Sequence, residues 1–254
     1  MIYVVLPAYN EEKNIAPLID GLTELSQLVP DIVPLLVDDG SSDGTAEEAR
    51  RLGQKLHLQV IQHETNKGLG AAIMTGLRVV CKSANDDDIV VLLDADNSHN
   101  PNYVIGMTKL INKGNDVVIA SRYQPGAKEV GLSHFRSAGS RLMSLALASV
   151  FSVKGAKDYT CGYRAYRISI IRKGFAEYGD QLVSETSFVC MAELLVKLFS
   201  VGAKVAEYPL VLRYDLKQGK SKMNIGRTLK RYLHFVVSQA KTIKQVRSRY
   251  FSSS

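Results

Sequence analysis

Cysteine is scarce in this chain. The three present, Cys81, Cys161 and Cys190, are widely spaced and odd in number, a pattern that suits neither a disulfide framework nor a zinc site. A reducing, cytoplasmic setting is the expectation. Long hydrophobic runs are also missing: the apolar stretch from Leu142 to Val153 falls short of the ~20 residues that a helix needs to cross a bilayer. The opening MIYVVLPAYN breaks at Pro7 and lacks the basic head and the length of a signal peptide, so it reads as a first strand. No transmembrane anchor is expected. The five histidines show no metal-ligand spacing, and there is no internal repeat. A net positive balance is missing from most of the molecule. Residues 213–254 hold eleven Lys and Arg against one Asp, so a net charge of +7 leaves the preceding body at −3. An acidic body offers no basic face to phosphodiester, and no nucleic-acid partner is expected.

What is present is a regular alternation. Strand-like runs at Tyr3–Leu6, Val33–Val37, Leu58–Ile61, Ile89–Leu93 and Val117–Ala120 alternate with helical patterns around Ile15–Leu28, Thr45–Leu56, Leu69–Val80 and Tyr103–Ile111. This predicts an α/β fold with a mainly parallel central sheet and helices on both faces. The run Ile89–Leu93 is wholly apolar and ends where Asp94 and Asp96 begin, and the carboxyl edge of such a sheet is where ligands bind. Two hard oxygen donors on one turn hold Mg²⁺ or Mn²⁺ incompletely, leaving coordination places for water and substrate phosphate. The expected ligand is a metal-bridged diphosphate. The same residues also suit an ordinary turn rich in Asp and Asn.

Two further strand ends carry polar clusters. After the first, Tyr9 could lie against a nucleobase while Glu11 accepts from ribose hydroxyls; alternatively Asn10 caps the following helix, with Glu11 and Glu12 complementing its dipole. After the second, in VDDGSSDGT, the Asp39 carboxylate could accept from a base imide, and Asp43 or Ser42 could cap the next helix.

Taken in order, PAYNEE, VDDGSSDGT, ETNKGLGAA, DAD, SRY and GKSKM resemble the family 2 inverting glycosyltransferases of the GT-A fold. The nearest likeness is to dolichol-phosphate and polyprenyl-phosphate mannose synthases. The resemblance implies that Asp94 and Asp96 bind the metal and the donor diphosphate. Pro7, Tyr9, Glu11, Asp38, Asp39, Gly68, Ala95 and Lys217 would surround the donor, and Arg122, Arg136 and Ser140 would take the acceptor phosphate. Arg122 and Arg213 would join the two aspartates in catalysis. The family's glutamine two places after the second aspartate is Ser98 here, which leaves Ser98, or Asn97, as the third metal ligand. The basic loop containing Arg213, Lys217, Lys220 and Lys222 is one residue longer than the family pattern and lacks an arginine near Leu216, so Arg213 or Lys217 must serve. A solvated charge run is the alternative.

The implied reaction is metal-dependent, inverting transfer of a hexose, mannose favoured, from GDP-mannose or a UDP-hexose to a polyprenyl phosphate. Such an acceptor is already an anion and needs no strong general base. A rival reading has a glycan, lipid or protein hydroxyl as acceptor, with Asp158, Glu185 or Glu193 as base; another is a non-catalytic nucleotide-sugar binder. Residues 1–224 read as the catalytic domain and 225–254 as a basic amphipathic helix and tail. That helix suits an anionic membrane surface, a membrane partner protein, or packing on the domain itself. The expected location is cytoplasmic, peripheral on the cytoplasmic membrane face.

Overall fold

A computed structural model of the chain describes residues 1–219 and 225–251. Lys220 and Lys222, and with them most of GKSKM, lie outside the described residues. The first half alternates as the hydrophobic pattern predicts: β1 (Ile2–Ala8), α1 (Glu12–Leu28), β2 (Ile32–Asp38), α2 (Thr45–Leu52), β3 (Gln59–Gln62), α3 (Leu69–Ser83), β4 (Ile89–Leu92), α4 (Tyr103–Asn112) and β5 (Val117–Ser121). The helix expected to reach Leu56 ends at Leu52, where Gly53 opens a 3-10 turn through Leu56. The second half is less regular. It runs β6 (Lys128–Val130), α5 (His134–Phe151), β7 (Arg164–Arg167), α6 (Ile168–Tyr178), α7 (Cys190–Ser200), β8 (Val205–Pro209), β9 (Val211–Arg213) and α8 (Ile225–Phe251).

Seven strands form one sheet in the order β3-β2-β1-β4-β7-β5-β8, and β6 pairs with β9 in a separate ribbon. All pairings in the large sheet are parallel except those of β7, which runs against β4 and β5. The carboxyl ends of β1, β2, β4 and β5 therefore share one edge, and the start of β7 enters that same edge. Because β7 lies between β4 and β5, those strands stand two spacings apart, roughly 10 Å. The gap separates the two aspartates that follow β4 from the arginine that follows β5.

Two expectations about helices need correction. Asn10 does not cap α1; it takes up a left-handed backbone (φ 51°), and its side-chain oxygen accepts the Ser42 N–H at 2.8 Å, joining the loops after β1 and β2. The sequence pattern also puts Glu193 on a helix running from Thr186 to Phe199; that helix begins at Cys190, because Glu193 draws the preceding segment into a loop by accepting the backbone N–H groups of Ser184 and Glu185 at 2.9 and 2.8 Å. Every residue of α7 is buried, including Glu193, which also pairs with Lys197 one turn on at 2.6 Å.

The basic C-terminal helix, α8, packs on α7 and α5. Tyr232, Phe235, Ile243 and Val246 are buried in the common core, and Phe235 meets Phe151 with ring centroids 5.6 Å apart. The apolar stripe of α8 is wider than the groove that receives it, so Leu229, Leu233 and Val237 stay exposed.

Candidate active site

The carboxyl edge of the sheet opens into one cleft of about 1060 Å³. Its floor is Pro7 and Ala8 from β1 and Asp94, Ala95 and Asp96 from the turn after β4, with Tyr9, Glu11, Asp39 and Gly68 along one side. The buried Glu11 accepts from the Asn14 side chain at 2.6 Å, and its own N–H donates to Thr45 at 2.8 Å. Asp39 takes the N–H groups of Lys67 and Gly68 at 2.9 and 2.7 Å and meets His63 Nδ1 at 2.7 Å. It thus fixes the glycine-rich loop before α3. Gly68 sits at φ 94° with Thr186 so close that an added Cβ would come within 2.4 Å of its carbonyl oxygen, so only glycine fits this turn. Asp38 does not line the cleft: it is fully buried beneath it, with one carboxylate oxygen turned to Ser41 and the other unpartnered.

Asp94 and Asp96 stand together at the centre. Ser98, buried directly after them, donates its hydroxyl and N–H to Asp96 Oδ1 at 2.6 and 3.1 Å, which leaves Oδ2 facing the cleft. There it meets the Lys217 ammonium at 2.6 Å. Recessed position and the adjoining Asp96 charge push the Asp94 carboxyl up to about 7, although 32% of its side-chain surface still faces the cleft. Burial opposes ionisation of Asp96 too, but Lys217 outweighs it and holds that carboxyl below its ordinary value. An added Cβ on Gly162, at the entry to β7, would lie 3.4 Å from both Asp94 oxygens. Two adjoining carboxylates, one poorly compensated and one already paired with an ammonium, are hard oxygen donors that could hold a divalent cation only together with oxygens from a ligand or water. Among the described residues no group of three or more His, Cys, Asp or Glu side chains could hold a metal ion by itself.

The opposite wall is cationic. Arg122, immediately after β5, has 10% of its side-chain surface exposed and forks onto Asp158 through Nε and Nη2 at 2.8 and 2.7 Å, with a further bond from Nη2 to Thr160 at 2.7 Å. Burial works against the guanidinium charge, but Asp158 holds it above its ordinary value; Asp158 is in turn held low by Arg122 despite its own burial. Arg136 and Ser140 share a face of α5 in the cleft. Arg136 donates to the Tyr214 hydroxyl at 2.9 Å, and Ser140 shares a hydrogen bond with Thr160 at 2.7 Å. Beyond them the cleft is walled by Phe135, Leu142, Leu229 and Leu233, all largely exposed.

Most of the sequence-predicted residues meet in this cleft. Arg213 does not: its side chain turns outward to Asp215 at 2.8 Å, because a carboxylate two residues away on an exposed turn captures it, and Lys217 reaches the aspartates instead. None of the three acids considered as a base lines the cleft: Asp158 is held by Arg122, Glu193 by the α7 loop, and Glu185 borders a smaller basic pocket with Arg227, Lys230 and Arg231. Two residues escaped the sequence reading. His99 presents a buried, unpartnered Nδ1 4.0 Å from Asp94, and burial pushes it down to about 4, so it brings no positive charge. Asn14 clasps Gln218 through two bonds of 2.9 and 3.0 Å. A buried amide on the apolar face of α1 was its signal.

The chain is 29% identical over 237 residues to a dolichol-phosphate mannosyltransferase of Pyrococcus furiosus, covering 92% of this chain and 62% of that protein. It is 31% identical to the polyprenol monophosphomannose synthase of Mycolicibacterium smegmatis, covering 87% and 80% of the two chains. The fold matches the glucosyl-3-phosphoglycerate synthase of Mycobacterium tuberculosis, solved with Mn²⁺, UDP-glucose and phosphoglyceric acid, with a TM-score of 0.69 at 21% identity over 95% of this chain and 80% of that one. The central sheet and its helices are thus those of a GT-A-like glycosyltransferase fold. The model of the family described as Glycosyl transferase family 2 matches residues 3–175, more than half of the sequence, and the chain belongs to that family.

Proposed function

We propose that this protein is a metal-dependent inverting hexosyltransferase that moves a sugar, mannose in the first place, from GDP-mannose or a UDP-hexose to a polyprenyl phosphate. The observation that carries this reading is the continuity of one cleft from Asp94 and Asp96, past Arg122, Arg136 and Ser140, to the exposed apolar wall of α5 and α8. An anionic head with a hydrocarbon tail matches that sequence of surfaces; a glycan hydroxyl would meet apolar side chains where it needs hydrogen-bond partners. The two mannosyltransferase relatives act in the same sense by their names, and the mycobacterial enzyme of the same fold holds Mn²⁺ beside its nucleotide sugar.

Asp94 and Asp96 would hold Mg²⁺ or Mn²⁺, with Ser98 fixing Asp96 rather than entering as a strong ligand. When bound, the ion supplies positive charge to the departing diphosphate. Tyr9, Glu11 and Asp39 border the space for the nucleoside, and Gly68 lets the backbone approach it. Arg136 has a guanidinium whose contacts are a phenol and its ring, 5.9 Å from centroid, so it can turn to an acceptor phosphate and bind it as a fork. Arg122, neutralised by Asp158, acts as a fixed dipole and hydrogen-bond donor rather than as a free charge. The phosphate attacks as an anion and so needs no strong general base.

Exposed Leu229, Leu233 and Val237 with Lys230, Lys241 and Lys244 on the same helix support a peripheral position on an anionic membrane face, at about 1 kcal/mol per basic residue near the lipid. No helix among the described residues is long and apolar enough to cross a membrane. The test is transfer of radiolabelled sugar from GDP-mannose, UDP-glucose and related donors. Label entering the organic phase only when polyprenyl phosphate and a divalent cation are supplied bears the reading out, and label on a water-soluble glycan refutes it.

A further inference from the structure

The segment after β9 lies across the cleft as a strap. It is pinned at one end where the Arg213 N–H donates to the Ser98 carbonyl at 2.9 Å. At the other, Asn14 holds both backbone groups of Gln218 at 2.9 and 3.0 Å, while Asn14 itself is anchored on Glu11 at 2.6 Å. Between these pins Lys217 points inward. Its ammonium lies 2.6 Å from Asp96 Oδ2, and the two side chains are only 11% and 13% exposed. That oxygen is the one left facing the cleft once Ser98 has taken Oδ1. The contact is strong enough that Asp96 holds the Lys217 charge above its ordinary value in spite of burial.

We infer that Lys217 is a tethered internal cation that competes with the divalent ion for Asp96 and is released from it when a nucleoside diphosphate arrives. The inference rests on the cation seat proposed above. An ammonium is a compact point charge on a flexible stem, and it cannot share one carboxylate oxygen with an ion bound at about 2.1 Å. Any ion entering the seat must first break a nearly buried pair. The pyrophosphate of a donor bridges to the ion and carries negative charge to which the displaced Lys217 can turn. Ion and nucleotide then bind with positive coupling, and the coupling is reciprocal. The strap also links the two halves of the reaction. Lys217 lies over the Tyr214 ring at 5.8 Å, and Tyr214 is the residue that engages Arg136.

The experiment is Mn²⁺ binding to the full chain, read by the loss of the free-ion electron paramagnetic resonance signal, with and without GDP or UDP. Wild type, Lys217→Met, Asn14→Ala and Asp96→Asn are compared, with circular dichroism to verify that each is folded. Lys217→Met is expected to bind Mn²⁺ alone at least about tenfold more tightly than wild type, a difference of about 1.4 kcal/mol, and to gain less from nucleotide. Asn14→Ala, which loosens the strap without touching Asp96, moves the same way by a smaller factor. Equal or weaker Mn²⁺ binding by Lys217→Met overturns the inference and leaves Lys217 as a group that merely orients Asp96. Undiminished binding by Asp96→Asn instead overturns the cation seat, so the two failures are distinct.

Discussion

In one half of the cleft Asp94 and Asp96 lie side by side with Lys217 as their cationic partner, whereas in the other half Arg122 is clasped by Asp158 through two hydrogen bonds and nearly buried with it. Both halves gather charge at a sheet edge, yet the first leaves its charge unbalanced and the second neutralises it internally. In the carboxylate half, burial and the adjoining Asp96 charge raise the Asp94 carboxyl. The guanidinium half is a structural joint as well as a binding wall, because Asp158 also accepts the N–H groups of Arg122, Thr160 and Cys161. The same chemical change should therefore do opposite things on the two sides.

The largest effect is expected from Asp158→Asn. It breaks a nearly buried pair and leaves the guanidinium only the more distant Glu129, at 3.7 Å, which costs about 3 to 5 kcal/mol, readable as a lower urea midpoint. The ion pair also gives an acid dependence of known sign. A carboxyl held low in the folded state contributes stability that is complete above its unfolded value of about 3.9 and is lost as pH falls through the lower folded value. Wild type should lose stability more steeply than Asp158→Asn below about pH 4. A parallel decline in the two proteins would show that Arg122 and Asp158 are not coupled as the geometry requires.

Asp94→Asn is the mirror case. It removes one of two adjoining negative charges, so the metal-free protein should be at least as stable as wild type, while sugar transfer falls by about 10² to 10³ if the seat supplies the electrostatic stabilisation typical of such sites. A variant that is active and unstable would reverse the comparison.

The two halves also differ in how far the sequence exposes them. In the carboxylate half the aspartates and Ser98 are close along the chain, and the strand, turn and helix of each βα unit follow one another, so the apolar run Ile89–Leu93 and its acids are enough to place Asp94 and Asp96 at the sheet edge. The guanidinium half, and the strap that brings Lys217 to the carboxylate half, are assembled across distance. Asp158 reaches Arg122 from 36 residues away, Lys217 reaches Asp96 from 121, and Asn14 reaches Gln218 from 204. No hydrophobic period encodes such pairings, and the reversed strand β7, only four residues long, has too little pattern to announce itself. Arg213 and Lys217 were equivalent as letters; Asp215 decided between them by capturing the first.

A smaller, more selective effect belongs to Arg136, which lies between the halves. Its guanidinium has no carboxylate within ion-pairing distance among the described residues, so Arg136→Ala should leave folding unchanged. Loss of a charge-assisted bond worth about 1.5 to 3 kcal/mol predicts a rise of about 10- to 100-fold in the KM for polyprenyl phosphate. The KM for the nucleotide sugar should stay constant. A change confined to the donor would place Arg136 on the wrong side of the comparison.

The smallest effect on stability, and the sharpest separation of packing from surface, is expected on α8. Tyr232 and Phe235 face the core, and Leu233 and Val237, on the same two turns, are 61% and 84% exposed. Replacing both exposed residues with serine removes no buried contact, and stability should stay within about 0.5 kcal/mol for each change. Apolar groups that insert into a lipid interface contribute in proportion to the area withdrawn from water, about 25 cal/mol per Å². Cosedimentation with anionic vesicles should therefore weaken several-fold in the double variant, while the KM for the nucleotide sugar, bound at the other end of the cleft, stays at the wild-type value. If vesicle binding is untouched and the melting temperature drops, the exposed stripe is part of the fold and the lipid-facing wall must be sought on α5 alone.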